Sequence, residues 1–263
     1  MDETNQRPGI KYSIGKSVPT IDSIAVEIPL QTTSDRNDGK LYGTLMRTPG
    51  NDLELIIGLM ISSGDLLDND QIPEINISSN SVHVSISNTN SERLQNSTSS
   101  CGICGRDNVE IVPIPDCDTM PKIEIHSDII RNIIEKIGDG QNLFESTGGT
   151  HAAALWNLDG DMLSIMEDVG RHNAFDKLIG HQRIINAWPL SNGIVSLSGR
   201  ISYEMVEKAV RSNIPILISV GSATTAAIDL ASFHDLSLIV FARDRRFTCM
   251  TGSHRIIGAD GVK

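Results

Sequence analysis

Strand and helix patterns alternate through the last third of the chain, and this alternation constrains the fold more than any other feature of the sequence. Three short apolar runs are separated by two amphipathic stretches, at residues 194–197, 203–211, 215–220, 224–232 and 236–241. Strands joined by helices of this length pair in parallel through right-handed crossovers. The C-terminal half is therefore predicted to be an α/β domain.

The preceding segments extend this domain and suggest a second, smaller one. Helical spacing at 127–137 is followed by two short strand patterns around Asn157-Leu158-Asp159-Gly160, which predict a hairpin, and then by a helix near 171–185. Before residue 113, strand and helix patterns at 23–30, 41–47, 51–62 and 81–87 predict a small α+β unit. We expect a disordered segment over residues 1–20, an α+β domain over 21–112 and an α/β domain over 113–263.

The predicted topology indicates where a ligand binds. In open α/β sheets ligands lie beyond the carboxyl ends of the strands, where loops and helix N-termini collect. Three loops occupy such positions, at residues 198–202, 221–224 and 241–246. The third contains three arginines, whose guanidinium groups can hold phosphate oxygens in pairs. A phosphate-bearing ligand is one interpretation, and capped helices beside a solvated basic patch are the other.

Two thiols lie on a segment rich in glycine and serine. Cys101 and Cys104 flank Gly102-Ile103, and Ser97-Thr98-Ser99-Ser100 leads into them. This spacing is compatible with sulfur chemistry on a loop, with a redox dithiol, or with half of a zinc site that Cys117 or a histidine completes. Attack by Cys101 requires the thiolate, and an unperturbed thiol is mostly protonated near neutral pH.

Composition excludes several classes of protein. The net charge of −11 argues against a general nucleic-acid binder, although Arg243, Arg245, Arg246 and Arg255 crowd the C-terminal end. No run of about 18 apolar residues is present, so no membrane span is expected. The polar N-terminal segment lacks the apolar centre of a secretory signal, and four cysteines are too few for a disulfide framework. We therefore expect a cytoplasmic protein with reduced thiols.

Four segments carry a resemblance to a known family. In order along the chain they are residues 99–105 (SSCGICG), 147–155 (TGGTHAAAL), 167–177 (EDVGRHNAFDK) and 198–205 (SGRISYEM). Together they resemble the FdhD/NarQ family of formate dehydrogenase accessory proteins, from about residue 22 to Phe241. The resemblance implies a C-terminal domain similar to the cytidine deaminase fold and a homodimer.

The resemblance also implies a function. A protein of this family would be a sulfurtransferase that accepts persulfide sulfur from a cysteine desulfurase on Cys101, with Cys104 as the second cysteine of the motif. It would deliver the sulfur to the molybdenum or tungsten bis-guanine-dinucleotide cofactor before that cofactor enters formate dehydrogenase. No permanently bound cofactor is expected. The matching cofactor-binding segment is Phe241, Ala242, Arg243, Asp244, Arg245 and Arg246. Two alternatives are a cofactor chaperone without covalent chemistry and a structural zinc protein.

Three further residues are candidates for the same site. His151 can face the pocket and contact the nucleotide, or it can be structural. Arg171 and His172 can present charge at the pocket rim, whereas Asp168 has a sufficient structural explanation as a helix cap. Zinc-dependent deamination is not expected, because no glutamate follows His151 at the required spacing and the paired cysteines precede it. No metal site is predicted, because Cys117 and Cys249 are single and far apart and supply no second cysteine pair.

Overall fold

A computed structural model describes residues 1–35, 39–86, 114 and 120–258 of the chain. The first half contains β1 (Thr4–Ser13), β2 (Lys16–Ala25), β3 (Ile28–Ser34), β4 (Lys40–Arg47), α1 (Asp52–Ser63), β5 (Glu74–Ile77) and β6 (Ser81–Ser85). The second half contains β7 (Ile125–His126), α2 (Ser127–Lys136), α3 (Asn142–Thr147), β8 (His151–Trp156), β9 (Met162–Asp168), α4 (Arg171–Ile184), β10 (Ile194–Leu197), α5 (Tyr203–Arg211), β11 (Ile216–Ser219), α6 (Thr225–Phe233), β12 (Ser237–Arg243), β13 (Arg246–Thr251) and β14 (Ile256–Ile257).

A six-stranded sheet organises the second half. Its strand order is β13-β12-β11-β10-β8-β9, in which β10, β11 and β12 are parallel and each of the other strands is antiparallel to its neighbour. The predicted hairpin and the predicted alternation of strand and helix are confirmed. A second sheet, in the order β4-β3-β6-β5, organises the first half. The protein is thus of mixed α/β class.

Helices cover both faces of the six-stranded sheet. Successive side chains of a strand point to opposite faces, and in β8 Ala154 and Trp156 pack with the isoleucines of α2, whereas Ala153 and Leu155 join the larger core that includes α4 and α5. This explains why β10 and β11 are apolar on both sides except at Ser196 and Ser219, since all four residues of each strand are buried.

The two halves of the chain bury a common core. Helix α1 crosses α4 at a close approach of two glycines, Gly58 and Gly180. A Cβ on Gly180 would lie 1.9 Å from the carbonyl oxygen of Glu54, so no larger residue fits this crossing. The proposed boundary between residues 112 and 113 lies outside the described residues, and the division into two domains stays a prediction.

The N-terminal segment differs from the prediction. Residues 1–20 were expected to be disordered, but β1 and β2 form an antiparallel hairpin whose register pairs Thr4 with Ala25 and Ser13 with Lys16. Backbone hydrogen bonds hold this ribbon together, and most of its side chains remain exposed. The prolines within the two strands, Pro8 and Pro19, made the segment read as irregular in the sequence. Among the helices of the described residues, none is both long enough and apolar enough to cross a bilayer.

Candidate functional site

The candidate site lies along the edge of the six-stranded sheet where the parallel strands end. The predicted loops after β10 and β11 are bound to each other, because the amide of Ile201 donates to Ser222 O at 2.9 Å and the amide of Thr224 donates to Ile201 O at 3.0 Å. The amide of Phe241 on β12 donates to Gly221 O at 2.9 Å. The three loops predicted from sequence therefore adjoin one another.

His151 lies on this edge because β8 runs antiparallel to β10, so that the first residue of β8 adjoins the loop after β10. Its Nδ1 atom is 3.1 Å from Ser198 Oγ, and the same oxygen accepts the amide of Ala152 at 2.8 Å. Burial lowers the pKa of His151, and the nearby positive charge of Arg171 lowers it further. The imidazole is thus biased toward its neutral form, which can donate one hydrogen bond and accept another.

Arg171 and His172 open helix α4 at the same edge. His172 Nε2 lies 3.1 Å from a carboxylate oxygen of Glu204, the second residue of α5. Buried Arg171 Nε has no hydrogen-bond partner among the described residues. Gly199 packs closely against Arg171 and His151, since a Cβ added there would lie 3.2 Å from Arg171 Cδ and 3.4 Å from His151 Nδ1.

The basic turn predicted to bind phosphate connects β12 to β13. Asp244 and Arg245 both have positive φ (51° and 59°), the geometry of a tight two-residue hairpin turn. Arg245 pairs with exposed Glu135 of α2 at 2.7 Å, and Arg246 lies 3.3 Å from Asp244. The side chains of Arg243, Asp244, Arg245 and Arg246 are exposed, whereas Ala242 is fully buried and cannot contact a ligand through its side chain.

Phe241 adopts an unusual backbone conformation beside this turn. Its φ is 54°, a region that bulky residues rarely occupy, and its side chain is 44% exposed. Strain of this kind persists only where the surrounding structure holds the residue, and it is enriched at ligand sites. The strand order places Phe241 three strands from His151, a separation of about 14 Å at 4.8 Å per strand.

Arg255 does not belong to the basic cluster in which the sequence placed it. Its guanidinium is buried and donates to Asp235 Oδ2 at 2.9 Å and to the carbonyl oxygen of Pro121 at 3.2 Å. Asp235 precedes β12, so Arg255 lies at the end of the sheet opposite the candidate site. Its role is structural, because a buried guanidinium with these partners binds the chain to itself.

The segment 167–177 joins the candidate site to the N-terminal half of the chain through buried polar contacts. Asp168 is fully buried, and its carboxylate accepts the amides of Gly170 (2.8 Å) and Thr48 (3.1 Å). Buried Lys177 lies 2.8 Å from the same carboxylate and donates to Thr48 O at 3.0 Å. This network joins β4 and α1 to the start of α4, which confirms the structural explanation for Asp168. The expected helix cap is not formed: Gly170 is the N-cap residue of α4, no side chain of the described residues caps it, and Asp168 accepts the amide of Gly170 itself.

The site contains two residues that the sequence analysis did not single out. Ser198 contacts His151, and Glu204 contacts His172. Both lie in the segment 198–205, so their presence in that motif was the signal available. Cys101 and Cys104, predicted as catalytic, lie outside the described residues. Cys249 on β13 is half-buried, and burial raises the pKa of its thiol.

These features define a mixed α/β protein with an edge of histidine, hydroxyl and arginine side chains suited to an anionic ligand. The model of the FdhD/NarQ family matches residues 25–257. The chain belongs to the FdhD/NarQ family.

Three relatives illustrate this similarity, each named Sulfur carrier protein FdhD. The protein of Sulfolobus acidocaldarius is 38% identical, covering 94% of this chain and 96% of its own. The protein of Sulfurisphaera tokodaii is 36% identical and covers 90% of this chain and 92% of its own. The protein of Streptomyces avermitilis is 33% identical and covers 96% of this chain and 95% of its own. A crystal structure from Desulfotalea psychrophila, named as a formate dehydrogenase accessory protein, shares the fold with a TM-score of 0.77 at 22% identity, covering 97% of this chain and 100% of its own.

Proposed function

We propose that this protein is a sulfur carrier required for the activity of a formate dehydrogenase. The relatives carrying the name sulfur carrier protein match nearly the whole chain, which supports the proposal. The structural observation that carries it is the sheet edge on which His151, Arg171 and the basic turn at 243–246 lie. That edge offers hydrogen-bond donors and cations to a long, anionic acceptor molecule.

In the proposed sulfur step, Cys101 receives the outer sulfur of a persulfide carried by a cysteine desulfurase. The Cys101 thiolate attacks that sulfur, a new S–S bond forms on Cys101, and the desulfurase cysteine leaves as a thiolate. Cys104 is the second thiol of the motif. Cys249 is poorly suited to the same reaction, because burial raises its pKa and so reduces its thiolate fraction.

The acceptor in this proposal is the molybdenum or tungsten bis-guanine-dinucleotide cofactor, bound as a substrate. Its pyrophosphate groups suit the exposed guanidinium groups of Arg243, Arg245 and Arg246. The separation of about 14 Å between Phe241 and His151 favours an elongated ligand, since a single phosphate cannot reach both. The exposed Phe241 ring can stack on a base, and His151 can donate a hydrogen bond.

Further features of the proposal concern the fold and the assembly. The order of hairpin, helix and alternating parallel strands supports a cytidine deaminase-like topology for residues 113–263. We further propose that residues 21–112 form the domain that presents the cysteines, that the protein is a cytoplasmic homodimer, and that its partners are a cysteine desulfurase and formate dehydrogenase.

Mass spectrometry tests the sulfur step directly. After incubation with a cysteine desulfurase and cysteine, the peptide containing Cys101 and Cys104 should gain about 32 Da, removable by a thiol reductant. The peptide containing Cys249 is the internal control and should gain nothing. Cys101→Ala should abolish the gain and should fail to restore formate dehydrogenase activity in cells that lack the protein.

Each contrary result identifies an alternative. Full restoration by Cys101→Ala would refute the sulfur-carrier proposal and would fit a chaperone that binds the cofactor without covalent chemistry. One tightly bound zinc ion per chain, lost in both Cys101→Ala and Cys104→Ala, would likewise refute it in favour of a structural zinc site.

A further inference from the structure

Arg200 is an exposed cation of the candidate site that the proposed contacts with the basic turn leave unused. It lies in the loop that follows β10, and within the described residues its guanidinium forms no hydrogen bond or ion pair. By contrast, Arg245 pairs with Glu135 at 2.7 Å, and Arg246 lies 3.3 Å from Asp244. An anion that binds Arg200 therefore displaces no carboxylate.

The backbone on both sides of Arg200 is held in place. The hydroxyl of Ser219, on β11, donates to Gly199 O at 2.6 Å, and the amide of Ile201 donates to Ser222 O at 2.9 Å. The loop after β10 is thus fixed to β11 and to the loop that follows β11. A guanidinium carried on a fixed backbone loses less conformational freedom on binding a ligand than one carried on a free loop.

The side chain of Arg200 extends over the residue that binds Phe241. A Cβ on Gly221 would lie 3.2 Å from Arg200 Cγ, so the arginine stem packs against Gly221. The carbonyl oxygen of Gly221 accepts the amide of Phe241 at 2.9 Å. In the strand order β12-β11-β10-β8, Arg200 follows β10 and so lies between Phe241 on β12 and His151 on β8. A ligand that extends from Phe241 to His151 therefore passes Arg200.

Two further features beside Arg200 favour negative charge. Helix α5 begins three residues later, and its N-cap residue, Ser202, forms no side-chain hydrogen bond to the helix within the described residues. The positive end of the helix dipole therefore adjoins the loop. Arg171 packs against Gly199 in the same loop, and its buried Nε has no hydrogen-bond partner in the part of the chain that the structure describes.

We propose that Arg200 binds the phosphate farther from the guanosine in the nucleotide whose base stacks on Phe241. The inference rests on the proposed acceptor and deepens it, because it assigns the residue that selects a guanosine diphosphate group over a monophosphate. Arginine suits this role, since its guanidinium donates two parallel hydrogen bonds to a phosphate. The arginines of the turn then hold the nearer phosphate, and Arg200 directs the rest of the molecule toward His151.

Isothermal titration calorimetry of the full chain with GDP and with GMP tests this assignment. GDP carries both phosphates of the nucleotide, whereas GMP carries only the one next to the guanosine. Arg200→Gln should raise the Kd for GDP about tenfold and the Kd for GMP less than about threefold. Arg200→Lys keeps the charge but not the paired donors, so its Kd for GDP should lie between those of the wild type and Arg200→Gln. The matched control is Arg7→Gln, at an exposed arginine of β1, which changes the net charge equally and should leave both constants unchanged.

Two results would overturn the inference. They are a Kd for GDP that Arg200→Gln leaves unchanged, and an equal increase of the Kd for GDP and for GMP, which would show that Arg200 does not distinguish the second phosphate. A wild-type chain that binds no GDP would refute the proposed acceptor and the inference with it. Sulfur loading of the peptide containing Cys101 is measured on the same variants and should persist, because it does not require the acceptor, and so a failure of the sulfur step is observed separately.

Discussion

The crossing of α1 and α4 provides the sharpest test of the packing, through the substitution Gly180→Ala. The added Cβ would lie 1.9 Å from Glu54 O and 2.8 Å from Gly58 N. Real Cβ contacts essentially never fall below 3.0 Å, so the helices must move apart by at least 1.1 Å (3.0 minus 1.9). The obstructing atoms are backbone, and therefore no side-chain rotation can relieve the clash.

Two opposing effects determine the free energy of unfolding of this variant. Alanine is favoured over glycine inside a helix by about 1 kcal/mol. Overpacking costs about 1–3 kcal/mol and occasionally more, and a gap of 0.5–1 Å between helices forfeits about a quarter to a half of each dispersion contact that spans it. Many buried side chains meet between α1 and α4, so the packing loss should exceed the helix gain. We expect a net destabilisation of about 1–2 kcal/mol, which is the upper part of the overpacking cost less the helix gain of about 1 kcal/mol.

Urea denaturation followed by circular dichroism measures this change, and thermal unfolding provides a second estimate. The loss corresponds to a decrease in Tm of about 2–8 °C for a protein of this size. Gly138→Ala is the control, because no atom of the described residues lies within 4 Å of the added Cβ and φ is not positive there. It should change the free energy by less than about 0.5 kcal/mol. A Gly180→Ala variant as stable as the wild type, or more stable, would refute the close approach of the two helices.

Two further predictions concern the candidate site. Burial and the charge of Arg171 hold the pKa of His151 below its usual 6.5, so the stabilisation that depends on neutral His151 is complete above pH 6.5 and is lost as pH falls from 6.5 through the folded-state pKa. In NMR titrations Arg171→Gln should raise the pKa of His151 but not that of His234. If the pKa of His151 stays the same in this variant, the charge of Arg171 does not lower it. GDP contains the guanine nucleotide and the two phosphates of half of the proposed acceptor, so it serves as the probe. Arg245→Ala should raise the Kd for GDP about tenfold, whereas Arg7→Ala, at an exposed arginine of the hairpin, should leave it unchanged. Equal increases of the Kd in both variants would argue against the turn as a phosphate site.

Local patterns accounted for most of the regular structure. The apolar runs that became β10, β11 and β12 are buried on both faces, and such runs stand out in a sequence without any knowledge of their partners. The loops that follow these three strands lie at one edge of the sheet, because parallel strands all end at the same edge. The hairpin of β1 and β2 escaped prediction because each strand contains a proline, Pro8 or Pro19, and proline within a run argues against a strand.

Only part of the candidate site could be predicted from the sequence, because its contacts join residues that are far apart in the chain. Arg255 is ten residues from Arg245 in the chain, yet β13 carries it back along the sheet to the far edge, where Asp235 binds it. Proximity in sequence therefore indicated the wrong cluster. Conversely, His172 and Glu204 are far apart in the chain and meet only because α4 and α5 begin at the same edge.

The sequence by itself determined most of the strands and helices of the second half, and hence that loops with hydroxyl and arginine side chains gather at one edge of a parallel sheet. These properties depend on neighbouring residues and on short-range periodicity. The tertiary structure decided which charged groups meet, that burial and the charge of Arg171 lower the pKa of His151, and that Gly58 and Gly180 allow two helices to touch. Such properties depend on distances between residues remote in the chain, which packing alone sets.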